Sequence, residues 1–270
     1  MCSRGANESM SWQLSFINKA DFTEHIRKTI SQYGEQLDSY NLKKFNSNII
    51  DPIKLIFDKT VYGLTWEEIV VNEVFRQRDK SANNSIGYFH QLIFRYIQGC
   101  SIPDEGWDVV FTDDKGIRLP DSDTVRTVFC EFKNKHNTMN SASSGKTYIA
   151  MQNQLLSDDN CACFLVEAIA KRSQNITWSL TVNKNKCSHR RIRRISMDSF
   201  YALVTGQDDA FYQMCMALPS VIEQVVNDKT SITTPDDSVI DELRDLAQLK
   251  NGSLTLAMYM LGFGTYKGFS

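Results

Sequence analysis

The segment Cys163-Phe164-Leu165-Val166-Glu167-Ala168-Ile169 is a short, nearly continuous apolar run. A strand with one face in water alternates apolar and polar residues, so a run like this predicts a strand covered on both faces. Strands of that kind lie in parallel arrangements with helices over either side. The segment therefore points to an α/β chain with a central sheet between helical layers.

The residues upstream fit this frame. Trp107-Asp108-Val109-Val110-Phe111 is β-branched and aromatic and reads as a strand, and Asp113-Asp114-Lys115-Gly116 reads as a turn. Thr127 to Lys133 alternates strictly, with Val128, Cys130 and Phe132 pointing one way and Phe129, Glu131 and Lys133 the other. A helix is expected over 146–156. The centre thus reads β-β-α-β, an antiparallel pair followed by a crossover helix and a buried parallel strand. Thr177–Val182 and Arg191–Ser196 look like a hairpin, with helices expected near 197–204, 208–228 and 237–250.

Residues 16–80 have a helical pattern. Phe22, Ile26 and Ile30 share one face, Asp51-Pro52 suits a helix start, and Thr65 with Glu68 forms a capping box. A further helix is expected over 86–97. The predicted organisation is a flexible tail at 1–15, a single domain over 16–228 with its core near 86–196, and a linker with a helical appendage over 229–270. The tail sequence Leu261-Gly262-Phe263-Gly264 has no role legible from its residues.

Composition narrows the function. The 42% hydrophobic and 23% charged content is ordinary for a globular protein, and no apolar run approaches the roughly 18–20 residues of a membrane span. The N-terminus has no signal-peptide core, so a cytoplasmic location is expected. A net charge of −2 argues against a generic histone-like binder but leaves room for a locally basic cleft. Cys161 and Cys163 have no second pair at zinc spacing, so neither structural zinc nor disulfides are expected.

Two signatures fall within residues 130–147. One is Gly145-Lys146-Thr147, the ending of a phosphate-binding loop. Asn140 stands where that motif needs its first glycine, and the preceding Lys135–Met139 is not an apolar strand. The other is Glu131-Phe132-Lys133. Metal-assisted phosphodiester hydrolysis needs carboxylates to hold Mg²⁺ and a cation to stabilise charge or position water. Glu131 and Lys133 project on one side, with Phe132 anchoring the strand below them. The second acid has three candidates. Asp104 and Asp121 each follow a proline in loops, whereas Asp108 opens a strand and is favoured.

With these residues in place, Asp108…Glu131-Phe132-Lys133 resembles the PD-(D/E)XK nuclease superfamily. The longer stretches "DPIKLIFD" (51–58), "NNSIGYFHQLIFRYI" (83–97), "EFKNKHNTMNSASSGKTYIAMQNQLL" (131–156) and "VEAIAKRSQNITW" (166–178) resemble bacterial type II restriction endonucleases that cut GGNCC. The likeness runs from about residue 16 to 228. The superfamily's Pro-Asp is Trp107-Asp108 here. The resemblance implies a restriction-endonuclease-like fold and a homodimer cutting both strands of a two-fold-symmetric DNA site, GGNCC or GGWCC. It also implies Mg²⁺, 5′-phosphate ends, and a cognate methyltransferase as functional partner.

Site expectations follow. Asp108, Glu131 and the Phe132 carbonyl would hold Mg²⁺, and Lys133 would orient water or stabilise the phosphate. The segment after the catalytic strand is rich in donors, so Lys135, His136, Asn137, Asn140, Ser143, Ser144 and Lys146 are candidate DNA contacts. Arg191 and Arg193 share a face of the most basic run and are further candidates. His90 and Gln91 are possible accessory residues. The competing classes are a phosphate-loop nucleotide hydrolase and a catalytically inactive DNA-binding module.

Overall fold

The computed structural model describes residues 12–35, 38–121, 123–182, 184–228, 236–250 and 252–263. Much of the expected tail at 1–15 and linker at 229–238, and Gly264, lie outside these residues. The chain opens with α1 (Lys19–Glu35), α2 (Leu42–Asn46), α3 (Pro52–Tyr62) and α4 (Trp66–Leu92). Strands β1 (Cys100–Ser101), β2 (Val109–Arg118) and β3 (Thr124–Lys135) follow, then α5 (Ser141–Ser157) and β4 (Cys161–Ile169). After β5 (Asn175–Val182) and β6 (Asn185–Ser196) come α6 (Met197–Thr205), α7 (Ala210–Asn227), α8 (Val239–Leu249) and α9 (Leu254–Phe263).

By internal contacts the chain forms two compact units, one of Met1–Lys28 with Gly87–Asp228 and one of Thr29–Ile86 with Lys229–Ser270. The first unit holds a six-stranded sheet in the order β1-β2-β3-β4-β6-β5. β2 and β3 pair antiparallel, β3 pairs parallel with β4, β4 pairs parallel with β6, and β5–β6 is an antiparallel hairpin. This is the mixed sheet with flanking helices that the sequence predicts. β4 is buried along Cys161–Glu167, in keeping with its apolar run.

Each face of the sheet has its own cover. On one side Tyr148 and Met151 of α5 pack with Cys163, Leu165, Trp178 and Ile192. On the other, Phe132 meets Phe94 and Phe200 at 5.5 Å ring separations, and Phe94 meets Tyr201 at 4.9 Å. Aromatic pairs at these distances contribute beyond simple burial. Phe132 is thus a core anchor, which fixes the direction of its neighbours Glu131 and Lys133.

The structure revises three local expectations. Asp113–Gly116 is not a turn. It lies within β2, where the register shifts between Thr112 and Ile117 and Gly116 takes φ 89°. A glycine carries that left-handed backbone without strain, so the strand bulges and continues. The chain reverses afterwards, where the Leu119 N–H donates to the Asp123 carbonyl at 2.8 Å. The helices expected from Thr65 and over 86–97 join as the single α4, followed by a 3-10 turn Ile93–Tyr96. The crossover helix begins at Ser141 rather than near 146, because the Asn140 side chain accepts the Ser143 N–H at 2.9 Å and caps it.

In the second unit the expected helix starts are present. Asp51 caps α3 by accepting the N–H groups of Ile53 and Lys54. At α4 the Thr65 N–H donates to Glu68 at 2.8 Å and the Glu68 N–H to the Thr65 hydroxyl at 3.2 Å. The core of this unit gathers Phe45, Leu55, Ile69 and Val74 with Leu243, Ala257 and Met258 of α8 and α9. No described helix is long and apolar enough to cross a membrane.

Candidate active site

The carboxylates and lysine singled out in the sequence meet where β2 begins and β3 approaches its end. The last β2–β3 ladder pair is Val109 with Cys130, so Asp108 stands opposite Glu131. The Asp108 N–H donates to the Cys130 carbonyl at 3.0 Å, and the Phe132 N–H donates to Asp108 Oδ2 at 2.7 Å. Backbone hydrogen bonds therefore fix both ends of Asp108. Lys133 Nζ donates to Glu131 Oε1 at 2.7 Å, with both side chains partly exposed at 30% and 25%.

The electrostatics match a site that receives a cation. The Asp108 carboxyl is held above the usual carboxylate range, first by burial and further by the facing Glu131. The Phe132 N–H and Lys133 act in the opposite direction. A hard cation between the two acids would relieve both causes of the rise. The N–H and C=O of one residue point to the same side of an extended strand. The Phe132 carbonyl therefore points to the Asp108 side, beyond the last ladder pair.

The donor set is two carboxylates and one carbonyl, all oxygen. Among the described residues no group of three or more His, Cys, Asp or Glu gathers to hold a metal. Mg²⁺ does not require such a cage. It takes one or two carboxylates and completes its shell with water and phosphate oxygens. The residues present fit it.

Of the other first-acid candidates, Asp104 is exposed and Asp121 lies 3.7 Å from Arg193. The recognition candidates Lys135, His136, Asn137, Asn140, Ser143, Ser144 and Lys146 lie at the end of β3, in the connection after it, and at the start of α5. They follow the end of β3 that carries the carboxylates. The first turn of α5 carries no acid, so the positive end of its dipole is open to an anion. Asn140 itself is engaged as the helix cap. Lys146 is exposed, one full turn inside the helix. Gly145-Lys146-Thr147 is therefore helix interior, neither a phosphate-cradling loop nor the turn into the helix.

The basic strand is arranged differently. Arg191 donates to Asp123 at 2.7 Å and to the Asp159 carbonyl, at the start of β3 and β4. Eight residues at about 3.3 Å each put that end roughly 25 Å along the strand from Glu131. Arg193 is 3% exposed, and its guanidinium bonds Asn175 Oδ1 at 2.6 Å and the Asn175 carbonyl at 2.7 Å. His90 and Gln91 end α4. Gly87 of that helix lies against Asn134, which has the Phe132 parity of β3, on the face opposite Glu131. Burial lowers the His90 pKa to about 4, keeping it neutral.

Two residues not singled out as site residues lie at this end of the neighbouring strands. Glu167 of β4 is level with Lys133, and Arg194 of β6 is level with Leu165 and so with Glu131. Residues paired in register share a face, so all four side chains lie on one side of the sheet. Arg194 Nε donates to Glu167 Oε1 at 2.7 Å, and Arg194 Nη2 donates to the His136 carbonyl at 2.7 Å. The signal was present in the sequence. A single acid inside an apolar run must find a partner when the strand is buried.

Comparison with known proteins places this geometry in a family. The chain is 28% identical over 250 residues to the type II restriction enzyme Sau96I of Staphylococcus aureus, covering 90% of this chain and 92% of that protein. It is also 28% identical over 227 residues to the type II restriction enzyme Eco47II of Escherichia coli, covering 80% and 89%. Residues 14–227 match the family described as Eco47II restriction endonuclease. That match takes in both the sheet and the edge bearing Asp108, Glu131 and Lys133, and the chain belongs to the Eco47II restriction endonuclease family.

Proposed function

We propose that this type II restriction endonuclease hydrolyses double-stranded DNA with Mg²⁺ at a short two-fold-symmetric site, GGNCC, leaving 5′-phosphate ends. The observation that carries the reading is the pairing of Asp108 with Glu131 beside Lys133, with Asp108 fixed by the Phe132 N–H at 2.7 Å. The 28% identity to Sau96I over nearly all of both chains supports the type II restriction part of the reading, and the GGNCC site rests on the resemblance carried by residues 51–58, 83–97, 131–156 and 166–178.

Asp108, Glu131 and the Phe132 carbonyl would hold the ion, which when bound supplies positive charge to the scissile phosphate and acidifies water. The chain's own residues do the rest. Glu131 holds the Lys133 ammonium in place through the 2.7 Å hydrogen bond to its Oε1. Lys133 then donates to the non-bridging oxygen on which charge develops, or orients the water. Phe132, locked among Phe94 and Phe200, prevents the strand from twisting these groups apart. The donor-rich segment 135–146 would contact base edges and phosphates, and a second copy of the chain would cut the opposite strand of a symmetric site.

The test is a digest of a plasmid of known sequence with Mg²⁺. Discrete fragments ending within GGNCC are expected. Lys133→Ala should lower the rate at least about a hundredfold while leaving site-specific binding in place. Cutting by the variant at the wild-type rate would remove Lys133 from the site.

A further inference from the structure

We infer that Arg194 and Glu167 are positioning residues for base recognition, tying the segment that reads the DNA to the strand that cuts it. The inference rests on the function proposed above.

The connection from β3 to α5 is held at both ends. At its far end Asn140 caps α5. At its near end His136 is gripped through its backbone on two sides. Its N–H donates to the Ile169 carbonyl at 3.0 Å, and its carbonyl accepts from Arg194 Nη2 at 2.7 Å. The same nitrogen also donates to Glu167. One guanidinium fork thus joins β4, β6 and the first residue beyond the catalytic strand. The planar guanidinium adds the Nε bond to Glu167, which holds Nη2 in direction toward the His136 carbonyl.

Glu167 fixes the fork in turn. It is 1% exposed, which costs free energy unless the charge is matched. Arg194 matches it on Oε1, and Gln174 Nε2 donates to Oε2 at 3.4 Å. Arg194 is itself 30% exposed on the side chain, so the fork sits at the boundary between the core and the open edge. The His136 Nδ1 is buried with no hydrogen-bond partner among the described residues. The two main-chain bonds place the backbone from which the ring projects, and Arg194 makes one of them.

This placement suits a role in discrimination. Lys133 lies two residues before the strand end and level with Glu167. A displacement of the 136–140 segment therefore moves base contacts relative to the cutting groups without removing either set. Misplacement of about 1 Å is enough to change a rate by up to roughly a hundredfold.

The variant that isolates the effect is Arg194→Lys. Lysine keeps a positive charge beside Glu167 but has a shorter reach and lacks the Nε contact to Glu167 that fixes the direction of Nη2 toward the His136 carbonyl. A second variant, Glu167→Met with Arg194→Met, removes both charges from the fold at once. Cleavage would be measured on two duplexes, one bearing the site mapped for the wild-type protein and one with a single outer base pair changed. The readout is the ratio of kcat/KM on the two, with thermal melting alongside.

Arg194→Lys is expected to melt near the wild type and to lose about tenfold or more of that ratio. The double variant should lose a similar factor. A wild-type ratio in either variant, folded, overturns the inference. So does failure of both variants to fold, which would make the pair a stability element only. Absence of discrete cleavage by the wild-type protein overturns the proposed function and this inference with it, an outcome distinct from an unchanged ratio.

Discussion

The function proposed above gives Asp108 two separable tasks, and two substitutions divide them. Its carboxylate accepts the Phe132 N–H at 2.7 Å and stands opposite Glu131 on the neighbouring strand. Asp108→Asn keeps an oxygen in place for that N–H but removes the charge that would hold a cation. Replacing a charge-assisted hydrogen bond by a neutral one costs about 1 kcal/mol. Removing a buried like charge opposite Glu131 works in the other direction. Near pH 7 the two should leave the melting temperature within about 4 °C of the wild type. Asp108→Ala leaves the Phe132 N–H unpaired at a partly buried position, a loss of roughly 1–3 kcal/mol, and should melt visibly lower. Both variants should cut DNA at least about a hundredfold more slowly, some 2.7 kcal/mol or more of barrier. The assay is initial-rate plasmid cleavage in Mg²⁺ paired with calorimetry on the same preparations. A wild-type rate for Asp108→Asn would refute the ligand assignment. Equal melting of the two variants would refute the structural task. The pH behaviour carries the same logic. Because burial raises the Asp108 pKa, the carboxyl is protonated at a higher pH than an ordinary aspartate. The cation affinity proposed for it should be lost on acidification within that raised range, and more Mg²⁺ should move the acidic limb of the cleavage profile downward.

Three further outcomes are expected. Arg193→Met should lower stability by about 1–3 kcal/mol in urea unfolding, because it strips partners from Asn175 inside the fold, and the salt slope of DNA binding should not change. Lys146→Ala should leave the melting temperature alone and reduce the slope of log K against log salt by about one, as measured by fluorescence anisotropy. Burial lowers the pKa of His25 and of His90 to about 4 in the folded chain. The unfolded chain, with histidines near 6.5, binds protons that the folded one refuses. That stability is fully present above about pH 6.5 and is lost toward pH 4, at up to roughly 1.4 kcal/mol per pH unit for each group. Replacing either histidine with leucine should flatten the decline in urea unfolding between those pH values.

What was legible in the sequence follows from the range of the forces involved. Alternation along 127–133 and the apolar run at 163–169 report which side of a strand is covered, a local property, and both match the sheet. Caps at Asp51 and Thr65 are equally local. The Asp113–Gly116 segment misled because its residues are good turn formers, whereas the pairing of β2 with β3 on both sides of it extended the strand and absorbed Gly116 as a bulge. The basic run 190–194 showed charge but not its neighbours. Whether Arg193 meets DNA or Asn175 depends on a strand that pairs from 18 residues away in sequence. Glu167 was visible as an acid in an apolar run, yet its partner lies 27 residues on, and periodicity carries no information at that range.

The order of strands has a kinetic consequence. Asp108, Glu131 and Lys133 all lie on one hairpin, a local contact that closes quickly. The parallel partner of that hairpin, β4, and its own neighbour β6 are made later in the chain. Parallel pairing across a crossover is slow, because loop-closure entropy must be met before the contacts form. Synthesis delivers the N-terminal portion first. A growing chain that has reached Lys135 therefore holds every expected ligand on the β1–β3 ribbon, with Phe94 made but Phe200 and the parallel strands still to come. Glu167 cannot be buried favourably until Arg194 arrives. The sheet should thus close as one late, cooperative event, and the ability to cut DNA should arise with it.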